Sequence, residues 1–306
     1  MRIAIVTTSF PSHPGDPSGH FVDAERAELE RRGHEVVVIA PESGPSGAFG
    51  WPGVAARVRE RPLRALDAAK WIARARSELA RADRARRFDR VIAHWALPAA
   101  WPIAAVASAE SHVEIVSHGG DVRLLAAMPR IVRVPLVTAL VSRASAWRFV
   151  SAALRDQMLG KVDGPLRERV ARIAIVHASP IDLPDVRDAA ARKRRELSAL
   201  ASAHASPVAI AVARLVKSKR IDRIIEHAAQ TSSRLVVVGD GPERAALEAL
   251  ARALGVDACF VGKVTRPEAL AWIAAADVLV HASRHEGLST VIREAEALGT
   301  RVEQIA

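Results

Sequence analysis

Short apolar runs alternate with amphipathic stretches along the chain. At the N-terminus, the β-branched run 2–8 (RIAIVTT) is followed by a Gly- and Pro-rich stretch over 11–19, helical periodicity over 21–32, Gly33, and the apolar run 35–40 (EVVVIA). Apolar runs of this length are typical of strands buried on both faces of a parallel sheet, and glycine commonly ends a helix. The pattern predicts a βαβ unit.

The pattern continues in two series. In the first series, the spacing predicts further strands at 90–94, 113–117 and 147–150. After Pro207 it predicts strands at 208–212, 234–238, 258–261 and 278–281, and helices at 221–230, 243–254, 267–275 and 289–298. The polar, alanine-rich segment between the series, 177–206, is predicted to be a linker. We therefore expect an α/β protein with two Rossmann-like, doubly wound parallel-sheet domains, 1–178 and 179–306, facing each other across a cleft.

Composition restricts the protein class. With 306 residues, of which 50% are hydrophobic and 25% charged, the chain is long enough for two globular domains. Its one cysteine, Cys259, excludes an intrachain disulfide and multi-cysteine metal sites. Because no apolar run approaches the roughly 20 residues of a membrane span and the start lacks a signal-peptide pattern, we expect a cytoplasmic protein.

The charge is strongly basic, with 44 Lys or Arg against 34 Asp or Glu. This excess favours anionic partners, although a GC-rich genome that encodes arginine at solvated positions would give the same excess of basic residues. Nucleic acid is not expected because the chain has no aromatic-interleaved basic motif or recognition module. Residues 57–90 hold twelve of the basic and five of the acidic residues. This segment is either a face that docks on an anionic membrane, on the inner side of the cell membrane, or a pair of solvated arginine-rich helices.

Polar and basic residues follow several predicted strands. Arg214 and Lys219 lie in the loop after strand 208–212, His118 and Asp121 come after strand 113–117, and residues 283–290 after strand 278–281. Ligands of open parallel sheets bind at the carboxyl ends of the strands. These loops are therefore the candidate site.

Five segments resemble a known family, in the right order along the chain. They are Gly33-His34-Glu35-Val36, His94-Trp95-Ala96-Leu97-Pro98, His118-Gly119-Gly120-Asp121, Val238-Gly239-Asp240-Gly241-Pro242, and Glu286 with Glu294 eight residues later. Over nearly its whole length the chain resembles the retaining glycosyltransferases of family 4, which have the GT-B fold. The resemblance implies hexosyl transfer from a nucleotide-diphosphate sugar to a glycan, lipid-linked or small-molecule acceptor, with no metal and no other cofactor.

Transfer from such a donor builds negative charge on the departing diphosphate. Arg214 and Lys219 would supply fixed positive charge, and a helix starting near Ser289 would aim free N–H groups at the phosphates. Gly287 would allow close backbone approach. The resemblance also places Leu288 and Thr290 in the donor site.

The resemblance assigns further roles. It implies two catalytic residues, Glu286 at the donor sugar hydroxyls and His118 beside the reacting sugar, where a buried structural histidine is the alternative. Glu294 would bind the ribose, unless it is a solvated carboxylate paired with a neighbouring arginine. Gly19 would let the backbone approach the diphosphate, unless it is an ordinary turn glycine. Val264 would neighbour the base.

Three residues are candidates for the acceptor side. Asp121 either positions the acceptor, holds the His118 loop or caps a helix. Phe49 and Trp51, in a glycine-rich loop, form either an aromatic lid over the acceptor or ordinary packing. Family members usually continue beyond the point where this chain stops, which leads us to expect an incomplete C-terminal domain. A catalytically inactive nucleotide-sugar or glycan-binding relative is the alternative function.

Overall fold

A computed structural model describes residues 1–16, 18–42, 48–49, 54–199, 206–283 and 288–305. The chain divides into two compact units. One comprises Met1–Pro14 with Ser18–Pro180, and the other Gly15–Pro17 with Ile181–Ala306. Each unit contains one parallel β-sheet with helices, which confirms the predicted α/β class with two parallel-sheet domains.

The first unit has a six-stranded sheet. Its strands are β1 (Arg2–Val6), β2 (Glu35–Ile39), β3 (Arg90–His94), β4 (His112–Ser117), β5 (Ala146–Phe149) and β6 (Ala174–Val176). Its helices are α1 (His20–Arg31), α2 (Val54–Glu60), α3 (Arg64–Ala85), α4 (Gly120–Ala127), α5 (Arg130–Arg143), α6 (Ala152–Leu159) and α7 (Gly164–Ile173), and an irregular helical segment covers Ala96–Ile103. The apolar residues of β1 and β3 are fully buried, as their β-branched sequences predict.

The strand order in this sheet is β2-β1-β3-β4-β5-β6, and all pairs are parallel. The connections change direction between β1 and β3, because β2 lies on one side of β1 and all later strands lie on the other. Such a switch point opens a crevice at the carboxyl ends of the two strands. The residues that follow β1, β3 and β4 are therefore placed where a ligand of this sheet would bind.

The second unit has a five-stranded sheet. Its strands are β7 (Val208–Val212), β8 (Arg234–Val238), β9 (Ala258–Gly262), β10 (Val278–His281) and β11 (Arg301–Gln304). Its helices are α8 (Arg187–Ala199), α9 (Ile221–Thr231), α10 (Arg244–Ala253), α11 (Arg266–Ala275) and α12 (Thr290–Ala297). One apolar layer packs α9 and α10 on one sheet face, and a second packs α8, α11 and α12 on the other.

The parallel order in this sheet is β11-β10-β7-β8-β9. The switch point here lies between β7 and β10. It places the loop after β7 beside the loop after β10, the two loops that hold most of the predicted donor-binding residues.

The linker prediction for 177–206 is wrong in its central part, which forms α8. Ala190 and Leu197 are buried along one side of this helix, and α8 packs on α11. Lys193 of α8 lies over the Trp272 ring at 4.6 Å and 3.8 Å from the Glu268 carboxylate. The alanine-rich sequence favours a helix, and its few apolar side chains are enough to dock it.

Within the described ranges, no helix is long and apolar enough to cross a membrane.

Candidate functional site

Two histidines meet at the carboxyl ends of β3 and β4. His94 ends β3 and is fully buried, whereas His118 follows β4 and is partly exposed. The Nδ1 atom of His94 lies 2.9 Å from the Nε2 atom of His118, and the two rings stack with centroids 5.2 Å apart. The rings of Phe21 and Trp95 flank His118 at 4.6 and 5.0 Å. The cluster leaves His118 as the member that can meet a ligand.

Burial favours the neutral form of both histidines. Burial is the main cause that lowers the pKa of His94 and of His118 well below the usual value, and the positive charge of Arg148 lowers both further. A neutral imidazole has one N–H donor and one acceptor nitrogen. His118 is therefore suited to hydrogen-bond a hydroxyl rather than to offset developing charge.

Asp121 holds the loop that carries His118. One carboxylate oxygen accepts hydrogen bonds from the Ser117 hydroxyl at 2.7 Å and the Ala96 N–H at 2.8 Å, and the other accepts the Gly119 N–H at 3.1 Å. The residue is 3% exposed. These contacts favour the loop-holding alternative over the predicted contact with an acceptor. Gly119, and not Asp121, caps α4.

Gly19 precedes α1 at the carboxyl end of β1. Its φ of 67° is in the left-handed region, and a Cβ there would lie 2.2 Å from the carbonyl oxygen of Ser9. Only glycine fits this position. The turn alone thus requires the glycine, and the predicted approach to a diphosphate stays a prediction.

In the second unit, three polar residues converge beside the switch point of the sheet. His281 ends β10, and its Nε2 atom lies 3.3 Å from the Ser289 hydroxyl, directly before α12. Burial lowers the pKa of His281, and the positive charge of Lys219, in the neighbouring loop after β7, lowers it further. A cation, an imidazole and a helix start thus share one edge of the sheet. This combination suits an anionic ligand.

Glu294 lies on α12 and is held by an arginine that the sequence analysis did not consider. The Nε and Nη2 atoms of Arg266 donate to the same Glu294 oxygen at 3.1 and 2.9 Å. The side chains are 13% and 8% exposed. Glu294 is therefore a positioned, mostly buried carboxylate and not the solvated side chain of the alternative.

The other predicted donor residues are spread over the same edge of the sheet. Arg214 is exposed in the loop after β7, and partial desolvation lowers its pKa. Val264 is partly buried and packs on the core, Leu288 is partly buried, and α12 begins at Thr290, one residue after the predicted start. Three predicted site residues lie outside the described residues: Trp51, Glu286 and Gly287.

The turn after β8, which contains Gly239 and Gly241, packs closely against the loop after β7. Gly239 has a φ of 132°, and a Cβ there would lie 1.9 Å from the carbonyl oxygen of Ala213. The turn therefore allows the loops after β7 and β8 to approach closely.

Phe49 is not part of an aromatic lid. Its ring is 5% exposed and packs against Trp71 of α3 at 4.8 Å between centroids. Of the two alternatives for this residue, ordinary packing is confirmed, because an aromatic side chain in a glycine-rich loop gains more by burial than by facing solvent.

Most of the basic segment 57–90 lies in α2 and α3, and some of its charged side chains are buried. The Arg57 guanidinium is buried and donates to the Phe49 carbonyl oxygen, and the buried Arg64 pairs with Glu60 at 2.8 Å. One exposed stripe of α3 carries four basic side chains: Lys70, Arg74, Arg81 and Arg84.

Three residues of the site were missed by sequence reasoning: His94, Arg266 and His281. Each histidine ends a predicted strand, and this position was the available signal. Arg266 gave none, because its partner is 28 residues away. Across the described segments, no group of three or more His, Cys, Asp or Glu side chains is arranged to hold a metal ion.

Two family models match the chain. "Glycosyltransferase Family 4" matches residues 19–177, and "Glycosyl transferases group 1" matches residues 193–302. A GDP-mannose-dependent alpha-mannosyltransferase of Mycobacterium tuberculosis (strain CDC 1551 / Oshkosh) is 29% identical over 99% of this chain and 78% of that protein.

Solved structures share the fold. Anabaena Alr3699/HepE in complex with UDP-glucose superposes with a TM-score of 0.66 at 20% identity, covering 99% of this chain and 80% of that one. The catalytic domain of starch synthase IV from Arabidopsis thaliana, bound to ADP and acarbose, gives 0.69 at 15% identity, with 99% and 82% covered. Both similarities support the GT-B fold.

Proposed function

Because the chain belongs to glycosyltransferase family 4, we propose that it is a retaining, metal-independent enzyme that transfers a hexose from a nucleotide-diphosphate sugar. The acceptor would be a glycan, a lipid-linked sugar or a small molecule. One observation carries the proposal: Lys219, His281 and the start of α12 converge at the switch point of the second sheet.

The proposed chemistry follows from the charge that develops during transfer. As the bond between the sugar and the diphosphate breaks, negative charge grows on the leaving group. Lys219 and the free N–H groups at the start of α12 stabilise that charge. The Glu294 carboxylate, oriented by Arg266, accepts hydrogen bonds from the ribose hydroxyls. The neutral His118 binds a hydroxyl of the donor sugar.

We propose GDP-mannose as the first donor to test. The relative that matches 99% of this chain is named for that donor. Structures with the same fold were solved with UDP-glucose and with ADP, so UDP and ADP belong in the comparison.

Donor class is tested by thermal denaturation with GDP, UDP, ADP and dTDP. One nucleotide should raise the melting temperature, and Lys219→Ala should abolish the shift. Lys217→Ala is the matched control, since Lys217 is an exposed lysine of the same short turn. A shift that survives in Lys219→Ala would refute the diphosphate assignment.

Transfer itself is tested by incubating the protein with the stabilising donor. Donor hydrolysis that is lost in Glu294→Gln indicates a working enzyme, and the anomeric configuration of a transferred sugar, read by NMR, tests retention. Nucleotide binding without hydrolysis or transfer would instead identify the inactive relative.

We also propose that the exposed stripe of α3 binds an anionic membrane surface. Beside its four basic side chains, Leu66 is 60% exposed, and Leu63, just before the helix, is 78% exposed. Basic residues near an anionic surface contribute roughly 1 kcal/mol each, and exposed leucines add apolar contact.

Vesicle co-sedimentation tests this proposal. Binding to vesicles with anionic lipid should fall at least about thirtyfold in Lys70→Glu/Arg74→Glu, which reverses two charges. The matched control, Arg192→Glu/Arg195→Glu, reverses two exposed charges of α8. Equal losses in both variants would show that only net charge matters.

A further inference from the structure

A buried network of charges lies beneath the two histidines of the first unit. Arg148 on β5 bridges two carboxylates: it pairs with Glu25 of α1, and its Nε lies 2.7 Å from Glu114 of β4. Glu114 also pairs with Arg90 at the start of β3. Glu25, Glu114 and Arg148 are 7%, 2% and 5% exposed.

The network is balanced in charge, since two arginines meet two glutamates. Three of these groups are buried and Arg90 is partly exposed. Buried charges are tolerated only when each is paired, because an unpaired buried charge is strongly destabilising. The balance leaves no net charge that would favour protonation of the neighbouring histidines.

His94 connects this network to His118. Its Nε2 lies 3.7 Å from the second carboxylate oxygen of Glu25, and its Nδ1 lies 2.9 Å from Nε2 of His118. The Nε2 atom of His94 and that oxygen of Glu25 are both buried, and neither has a hydrogen-bond partner among the described residues. The two atoms thus face each other.

The position of the His94 proton follows from electrostatics. If Nε2 were unprotonated, its lone pair would face a carboxylate oxygen in a buried environment, which is repulsive. With the proton on Nε2, the N–H dipole points toward the carboxylate. Nδ1 is then an acceptor, and the 2.9 Å contact requires His118 to donate its Nε2–H.

We propose that Glu25, held by Arg148, fixes the tautomer of His94, and that His94 in turn fixes His118 with its proton on Nε2 and a free acceptor at Nδ1. Glu25 and His94 are thus positioning residues. This inference rests on the proposed function in one respect, that the Nδ1 atom of His118 accepts a hydrogen bond from a hydroxyl of the donor sugar.

The tautomer is measured without any assay of activity. In the full chain labelled with 15N-histidine, the nitrogen shifts distinguish protonated from unprotonated ring nitrogens, and His118→Ala assigns the signals. We expect a protonated Nε2 and an unprotonated Nδ1 on His118 from pH 6 to pH 8. A protonated Nδ1 on His118 in the wild-type protein would overturn the proposal, and this measurement needs no substitution of the buried His94.

Two substitutions separate the hydrogen bond from packing. His94→Asn keeps an acceptor near the position of Nδ1 but loses the ring, whereas His94→Phe keeps a stacked ring but loses the acceptor. We expect His94→Asn to retain kcat for donor hydrolysis within about threefold, and His94→Phe to lose about tenfold, the effect of one hydrogen bond. The reverse order would show that His94 acts by packing and would overturn the proposal.

The outcomes separate this proposal from the proposed function. Donor hydrolysis absent from the wild-type protein, with the expected nitrogen shifts present, would refute the proposed function and leave the tautomer assignment supported. Donor hydrolysis by the wild-type protein, combined with a protonated Nδ1 on His118, would support the proposed function and refute the tautomer assignment.

Discussion

The pair formed by Arg266 and Glu294 yields the most demanding prediction. Removing the arginine takes two charge-assisted hydrogen bonds from a carboxylate that is 8% exposed. At about 3 Å and an effective dielectric constant of about 20, the attraction between the two charges is roughly 5 kcal/mol. Since desolvation offsets part of that gain, the relevant quantity is the cost of breaking a buried ion pair by removing one partner, about 3–5 kcal/mol.

We therefore expect Arg266→Met to lower the free energy of unfolding of the second unit by about 3–5 kcal/mol. For a domain of this size, that corresponds to a fall in melting temperature of roughly 6–20 °C. Methionine is chosen because it fills much of the space of the arginine stem. The double variant Arg266→Met/Glu294→Gln removes both charges and should recover more than half of the loss.

The assay is a double-mutant cycle, with urea unfolding of the wild type, both single variants and the double variant. A coupling energy above about 2 kcal/mol supports the reasoning. Two results would refute the reasoning: a loss of less than about 1 kcal/mol in the free energy of unfolding of Arg266→Met, or additive effects of the two changes. Either would show that the Glu294 carboxylate is stabilised by solvent and not by its pairing with Arg266. In the former case Glu294 would not be a positioned ligand group. The donor KM of Arg266→Met should also rise.

Three further predictions concern packing, backbone and pH. Phe49→Ala should lower the free energy of unfolding by about 3–5 kcal/mol, and a loss of acceptor affinity at unchanged stability would contradict the packing role. Gly239→Ala should destabilise by about 2–6 kcal/mol in urea unfolding, whereas Gly120→Ala, with open space around its Cβ, should change little. Because the folded-state pKa values of His94 and His118 lie below the unfolded value of about 6.5, unfolding takes up protons below that pH. The contribution of these two histidines to the free energy of unfolding should thus be fully present above about pH 6.5. Below that pH the free energy of unfolding should fall by up to about 1.4 kcal/mol per pH unit for each histidine. Urea unfolding measures the free energy of unfolding at pH 5.5 and 7.0. The difference between the two pH values should be smaller in His94→Asn/His118→Asn than in the wild type, and an equal difference would contradict the lowered pKa values of these histidines.

Local sequence determined most strands of both units, although it did not reveal α8. The strands at 90–94, 208–212, 234–238 and 278–281 lie where the apolar runs predict them. Gly33 and Gly255 follow helices with φ of 79° and 67°, as glycines that end helices do. These features depend on neighbours within a few residues, so sequence alone reveals them. The same holds for the loops at the strand ends, because parallel strands bring their carboxyl ends to one edge.

The tertiary structure decided which polar side chains are buried and paired and which stay accessible. Glu25 and Arg148 are 123 residues apart, yet they form a buried pair under His94. In the sequence, each is indistinguishable from a solvated charge. Asp121 and Phe49 show the converse, since both were candidates for an acceptor and both are occupied by packing or hydrogen bonds. Pairing and burial depend on contacts between distant segments, and hydrophobic periodicity carries no information about which distant partner a charge will meet.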